Sequence, residues 1–168
     1  LGVGAKNWKV IEKISQVVSL DWVMIANSMT IKNHPPDLLF FMQKLQKQRV
    51  QIINSAVFHG GFLMGGDYFD YKLVKPDTVE NKALFKWRDS FFALCEEFRI
   101  KPAEACVQFG LSGPGVVSIA LNTTNPQRVQ ENVKMAQVKI PAAFWAAMKA
   151  KGLIRADYNF LPTFELVP

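Results

Sequence analysis

Four short, continuous apolar runs punctuate the chain, at residues 1–3, 22–26, 50–55 and 116–120. Runs of this length without alternation suit strands covered on both faces, as in parallel sheets. Each is followed by text with helical periodicity. Over 8–18, Val10, Ile11, Ile14, Val17 and Val18 fall on one face. Over 36–47, Leu38, Leu39, Met42 and Leu45 recur at three and four, after an opening His34-Pro35-Pro36-Asp37. A long helix is predicted over 79–98, with Leu84, Trp87, Phe91, Leu94, Cys95 and Phe98 as its stripe. Lys101-Pro102 opens another, with Ala103, Cys106, Val107 and Gly110 on one side. Asn125-Pro126 starts a helix through Val129, Val133 and Ala136, and a last one spans 141–149. Strand followed by helix, four times over, reads as α/β with right-handed crossovers and a parallel sheet. Two architectures satisfy this pattern: a small doubly wound sheet, or part of an eight-stranded barrel.

Composition narrows the class. The 168 residues are 49% hydrophobic and 20% charged, which is globular and excludes disorder and fibrous repeats. Cys95 and Cys106 cannot build a disulfide framework and read as small apolar core residues. No apolar run has the length of a spanning helix, and no secretory signal opens the chain, so a cytoplasmic protein without a membrane partner is expected. The net charge of +6 suggests affinity for anions. The basic residues are dispersed, and Lys44, Lys47 and Arg49 include a helix end where cations suit the dipole. A phosphate-bearing small ligand accounts for the surplus as well as nucleic acid does, and no nucleic-acid partner is expected. The opening on Leu1 in full apolar stride suggests a fragment.

Several segments have the residue types for binding or chemistry. Phe58-His59-Gly60-Gly61 through Gly65-Gly66 follows the third strand. It is either a ligand loop at the carboxyl end of a parallel strand or a connection that needs turn residues. It lacks the Gly-Lys-Ser/Thr of a P-loop and the Rossmann glycine spacing. Asn122-Thr123-Thr124-Asn125-Pro126-Gln127-Arg128 joins the fourth strand to a helix. Its hydroxyls, amides and free N–H groups suit an anion, or Asn125 simply caps the helix. Arg128 falls in the first turn, unfavourably for the dipole, and a phosphate would explain it. His34 and His59 are the only histidines, and no further ligands accompany them at metal-binding spacing. His59 is either a general acid–base or a polar loop residue. Asp67, Asp70 and Asp77, with Tyr68, Phe69 and Tyr71 between them, read as a lid or partner surface.

The segment Ala105-Cys106-Val107-Gln108-Phe109-Gly110-Leu111-Ser112, then Pro114-Gly115-Val116-Val117-Ser118-Ile119, then Asn125-Pro126-Gln127-Arg128-Val129-Gln130-Glu131-Asn132-Val133, resembles the last barrel strand and cofactor helix of the aldo-keto reductases. Asn54-Ser55-Ala56-Val57-Phe58 with Gly61-Phe62-Leu63 resembles their seventh strand, Leu1-Gly2-Val3-Gly4 their fifth, and Asp21-Trp22-Val23-Met24 with Thr30 their sixth, in the manner of the aldose dehydrogenase branch. The resemblance implies a partial (β/α)8 barrel, strands five to eight, over residues 1–153, with a tail at 154–168. It implies an oxidoreductase using NADP or NAD on a sugar or small aldehyde or alcohol. Arg128 would hold the adenosine 2′-phosphate or ribose side, Glu131 and Asn132 the adenine, Asn122 and Thr123 the same phosphate, and Ser55 the pyrophosphate.

The sequence also departs from the family. Asn54 replaces the aromatic that stacks on the nicotinamide, with Phe58 as a substitute. Gly4-Ala5 replaces the carboxamide-binding Ser-Asn pair, and Met24 a glutamine. The catalytic Asp, Tyr, Lys and His belong to the first four strands, so no catalytic residue is assigned here. The fragment alone is expected to be inactive and to pair with the missing half-barrel or with a second copy of itself. The rival reading is a non-catalytic nucleotide- or protein-binding half-barrel.

Overall fold

The computed structural model describes residues 1–162. Four parallel strands, β1 (Gly2–Ala5), β2 (Trp22–Ala26), β3 (Gln51–Ser55) and a later strand at Val116–Ala120, form one sheet in chain order. Between the third and fourth of these lies a two-stranded antiparallel hairpin, β4 (Tyr68–Phe69) and β5 (Lys72–Leu73), which makes the last parallel strand β6. The helices are α1 (Trp8–Ser15), α2 (Pro36–Lys47), α3 (Lys82–Glu97), α4 (Pro102–Leu111), α5 (Arg128–Met135) and α6 (Ala142–Ala150).

Local chemistry sets the helix ends. The Lys9 N–H donates to Asn7 Oδ1 at 3.1 Å and starts α1. Pro36 and Pro102 stand in the first turns of α2 and α4, where a missing N–H costs nothing. After α2, α3 and α6 the chain turns through residues with left-handed φ: Arg49, Arg99 and Gly152. The following N–H groups close back as Val50 to Leu45 O, Ile100 to Cys95 O and Leu153 to Met148 O.

The sheet has two unlike faces. Its register aligns Val3, Val23, Ile52 and Val116 in one row, and Ala5, Ile25, Asn54 and Ile119 in the next. This face meets α1, α2 and α4, and Val23, Ile25, Ile52 and Asn54 are buried. On the opposite face, Gly4, Met24, Ile53 and Ser118 align, as do Ala26, Ser55 and Ala120; all are half-buried or exposed. Trp22 lies across Gly2, so closely that a Cβ there would meet its ring at 2.0 Å. A parallel sheet ordinarily has both faces covered. Here one layer is present, and β1 and β6 each leave an edge among the described residues.

Behind the covered face, α3, α4 and α6 extend the same core. Phe109 stacks on Tyr158 with centroids 4.6 Å apart, and His34 lies 4.8 Å from Phe109. Close approach of α4 to the sheet needs Gly110, where a Cβ would meet Val57 Cγ1 at 2.9 Å and Asn54 Nδ2 at 3.1 Å. Residues 154–162 continue into this core, with Ile154 and Tyr158 buried. The aromatic tail thus docks on its own chain as far as Phe160; residues 163–168 of the predicted tail lie outside the described residues.

Three predicted helices are shorter in the structure. The first stops at Ser15, and Val17 is 83% exposed, because nothing among the described residues packs against its last turn. The long helix starts at Lys82, after a turn closed by Asn81 Nδ2–H donating to Lys75 O and to Thr78 Oγ1. The helix after Asn125 starts at Arg128, and its apolar residues Val129 and Val133 are 52% and 56% exposed. Cys95 and Cys106 are free and buried, and burial pushes the Cys95 thiol up to about 12. No helix among the described residues is long and apolar enough to cross a membrane.

Candidate functional site

The carboxyl ends of the parallel strands carry most of the backbone irregularity. Asn27, Ala56, His59, Asp70 and Tyr71 all have left-handed φ, and Gly60 and Gly61 lie among them. Arg49 and Arg99, the other non-glycine cases, are accounted for as helix ends, and Asp70 and Tyr71 as the two-residue turn of the β4–β5 hairpin, which leaves Asn27, Ala56 and His59. Strain gathered at one end of a sheet marks a place held for binding. A cleft of about 570 Å³ opens there, lined by Ala26 of β2, Ser55 and Ala56 at the end of β3, Phe58, Gly60 and Gly61 of the glycine loop, Tyr71 of the hairpin, and Ala120 to Asn122 after β6. Its size falls in the range of small-molecule sites.

The glycine loop is a 3₁₀ segment, His59–Met64, broken by positive φ at Gly60 and Gly61. His59 is fully buried, its ring 4.4 Å from Phe69 and nearly parallel to it. Its Nδ1–H donates to Asp70 Oδ1 at 2.6 Å. In the neutral ring, Nε2 then accepts the Thr30 hydroxyl at 2.6 Å. Burial would raise the Asp70 carboxyl, but the His59 hydrogen bond, with Lys6 and Lys72 nearby, brings it below its ordinary value. Both ring nitrogens are engaged, and Thr30 is itself fully buried. The constellation therefore pins the hairpin to the sheet, and His59 presents no free nitrogen to a substrate.

Of the residues singled out from sequence, the cleft brings together Ser55 and Asn122, with Phe58 beside them. The Ser55 hydroxyl donates to Ile25 O at 3.3 Å. Asn54 is absent from the cleft; it lies on the helix-facing side, donating to Met29 O at 2.8 Å and Gly110 O at 3.0 Å. Asn27, at the end of β2, is buried with both amide atoms unpartnered among the described residues. Thr123 and Asn125 brace the next turn, where the Asn125 N–H donates to Thr123 Oγ1 and the Gln127 N–H to Asn125 Oδ1. Arg128, Glu131 and Asn132 follow along α5, outside the cleft lining. Arg128 is exposed, with no ion pair or side-chain hydrogen bond among the described residues. No cluster of three metal-ligating side chains occurs among the described residues. Sequence reasoning read Tyr71 as part of a lid or partner surface, and it missed the residue's place in the cleft and the His59–Asp70–Thr30 network. The network joins residues remote in sequence, and only the left-handed bend at Asp70–Tyr71 brings them together.

Over nearly its whole length the chain resembles known proteins. A family profile described as "Aldo/keto reductase family" matches residues 1–152. Pyridoxal 4-dehydrogenase of Microbacterium luteolum is 25% identical over 157 residues, covering 91% of this chain and 44% of that protein. Among solved structures, the aldo-keto reductase AKR11C1 from Bacillus halodurans matches in its holo form with a TM-score of 0.62 at 16% identity, over 98% of this chain and 51% of that one. Its apo form matches with a TM-score of 0.60 over 97% and 52%. The chain thus spans about half the length of these relatives, and its sheet corresponds to about half of their barrel. The chain belongs to the aldo/keto reductase family.

Proposed function

We propose that this chain carries the cofactor-holding half, strands five to eight, of an NAD(P)-dependent oxidoreductase that acts on a sugar or another small aldehyde or alcohol in the cytoplasm. The observation that carries the reading is the cleft at the carboxyl ends of β2, β3 and β6, which Ser55 and Asn122 line, with Arg128 exposed at the start of the helix that follows. The donor set fits a dinucleotide. Ser55 and Asn122 sit where neutral donors can meet a pyrophosphate, and Arg128 is a cation without a carboxylate partner among the described residues. Arg128 holds the 2′-phosphate or ribose side, with Asn122 and Thr123 beside it, and Glu131 and Asn132 flank the adenine. Phe58 supplies an apolar wall to the cleft. When bound, the nicotinamide supplies hydride transfer; the protein's part is to position it and exclude water. The family's proton-transferring residues belong to the half that precedes β1. The bare sheet face is where that half closes the barrel. A relative named as a dehydrogenase of pyridoxal supports a small carbonyl or alcohol as substrate.

The test is titration of NADPH and NADH into the chain, followed by fluorescence. Saturable binding is expected, and Arg128→Ala weakens it by about 1–3 kcal/mol through loss of a charged hydrogen bond. Aldoses and pyridoxal give no turnover with this chain alone, and turnover appears once the preceding half is supplied. Binding without turnover in the assembled protein would favour a non-catalytic module. An unchanged affinity in Arg128→Ala refutes the assignment of that residue.

A further inference from the structure

A second cavity, of about 610 Å³, lies on the other side of the hairpin from the cleft. The hairpin forms the shared wall. Tyr71 lines the cleft, whereas Phe69, Asp70 and Lys72 line the second cavity; the left-handed turn at Asp70–Tyr71 separates them. Likewise Gly60 lines the first and His59 the second.

Three lysines line this cavity from three separate segments: Lys6 after β1, Lys32 after β2, and Lys72 of β5. None has an ion pair among the described residues. Two are instead placed over aromatic rings, Lys6 at 5.4 Å from Tyr71 and Lys32 at 5.2 Å from Trp87. The opposing carboxylates are Asp70, already bound to His59, and the exposed Glu80. Lys32 is half-buried, and burial lowers its pKa. A half-buried cation with no carboxylate costs desolvation that an anionic ligand would offset.

We propose that this cavity is an anion subsite that takes the phosphate or carboxylate of an acidic carbonyl substrate, with Lys32 as its principal contact and Lys6 and Lys72 flanking it. The substrate assignment rests on the reading of the neighbouring cleft as the cofactor site, because a carbonyl compound that meets the cofactor there would place its charged group in the adjoining cavity. Anion binding itself does not depend on that reading.

The experiment titrates the chain with inorganic phosphate and, separately, with acetate, at constant ionic strength and neutral pH. Binding is followed by calorimetry and by the NMR signals of the lysine side chains. Saturable binding is expected at the lysine signals, weakened about tenfold or more in Lys32→Met and unchanged in Lys47→Met, an exposed lysine at the end of α2 that lines neither cavity. Phosphate tighter than acetate assigns a phosphate monoester, and the reverse a carboxylate. Lys72→Met, at an exposed position, gives the same weakening should Lys32→Met not fold. Failure of phosphate and acetate to saturate, or binding unaffected in both Lys32→Met and Lys72→Met, overturns the proposal. Phosphate bound at Lys32 with no dinucleotide binding anywhere would leave the subsite standing and remove only the oxidoreductase reading.

Discussion

Protonation of His34 will destabilise the chain over a defined pH window. The ring is buried between Phe109 and Tyr158, with centroids 4.8 and 5.4 Å away. Its Nδ1–H donates to Thr30 O at 3.0 Å, and Nε2 accepts the Arg155 N–H at 3.3 Å. One nitrogen donates and the other accepts, so the geometry suits the neutral ring in a single tautomer. Burial holds the pKa down to about 4 from the ordinary 6.5; the hydrogen bond to Thr30 O opposes this, and Arg155 and Lys32 reinforce it. A base whose pKa falls on folding binds more protons when unfolded, so stability is lost as pH drops wherever only the unfolded state is protonated. That window runs from 6.5 down to about 4.

Each pH unit of separation is worth about 1.4 kcal/mol, so the full window amounts to on the order of 3 kcal/mol. Against a domain stability of about 5–15 kcal/mol this is a large fraction. Urea denaturation at pH 7, 6, 5 and 4 measures it, with His34→Gln as the comparison. The variant is less stable at pH 7, because a core ring and its stacking on Phe109 are lost, but its stability changes little between pH 6.5 and 4. Parallel profiles for the two proteins would refute the reasoning and show that His34 is solvated or charged in the folded chain.

Other perturbations read other parts of the structure. Gly110→Ala should cost about 1–3 kcal/mol by overpacking against Val57 and Asn54, read as a drop in denaturation midpoint. Arg49→Gly and Arg99→Gly should each add up to about 1 kcal/mol, since both residues hold left-handed φ after a helix, and thermal melting checks the sign. Asp70→Ala removes the acceptor for His59 Nδ1–H and should loosen the hairpin by about 1.5–3 kcal/mol, seen as faster amide exchange at Val74, whose N–H donates to Asp67 O. Because the Asp70 carboxyl titrates below its ordinary 3.8, this contribution is present above that value and is lost as pH falls through the lower folded one. Acid should therefore loosen the hairpin of the parent protein and leave Asp70→Ala unaffected.

The periodicity of the chain made the parallel sheet readable, because strands 22–26 and 116–120 are apolar runs that match their observed bounds. The hairpin was not readable. Tyr68, Phe69, Lys72 and Leu73 have neither the length nor the alternation of strands, and the fold of this segment depends on the tertiary contact between Asp70 and His59. The site was legible in part. Ser55 and Asn122 lie at strand ends, where α/β proteins bind ligands, and a sequence can place them there. Lys6, Lys32 and Lys72 look like dispersed surface charge in the sequence, because what unites them is a cavity between three loops. Val129 and Val133 mark the helix after Asn125 correctly, and in the structure both side chains are exposed.

Two adjacent residues of β3 offer a direct test of the one-faced sheet. Ile52 points toward the helices and is fully buried, and Ile53 points to the bare face and is half-buried. Truncation of a buried isoleucine costs about 2–5 kcal/mol, combining lost transfer energy with the cavity left behind. At Ile53 no closed wall surrounds the side chain, so no cavity forms and only part of the transfer energy is lost. Ile53→Ala should therefore cost less than half as much as Ile52→Ala when this chain is denatured alone. The ordering should narrow or vanish once the bare face is covered, because Ile53, Met24 and Ala26 would then lie inside a closed interior. Equal losses in the isolated chain would mean that something already covers this face in solution. In that case the comparison of Ile53→Ala at low and high protein concentration identifies a second copy, since only self-association makes the loss concentration-dependent.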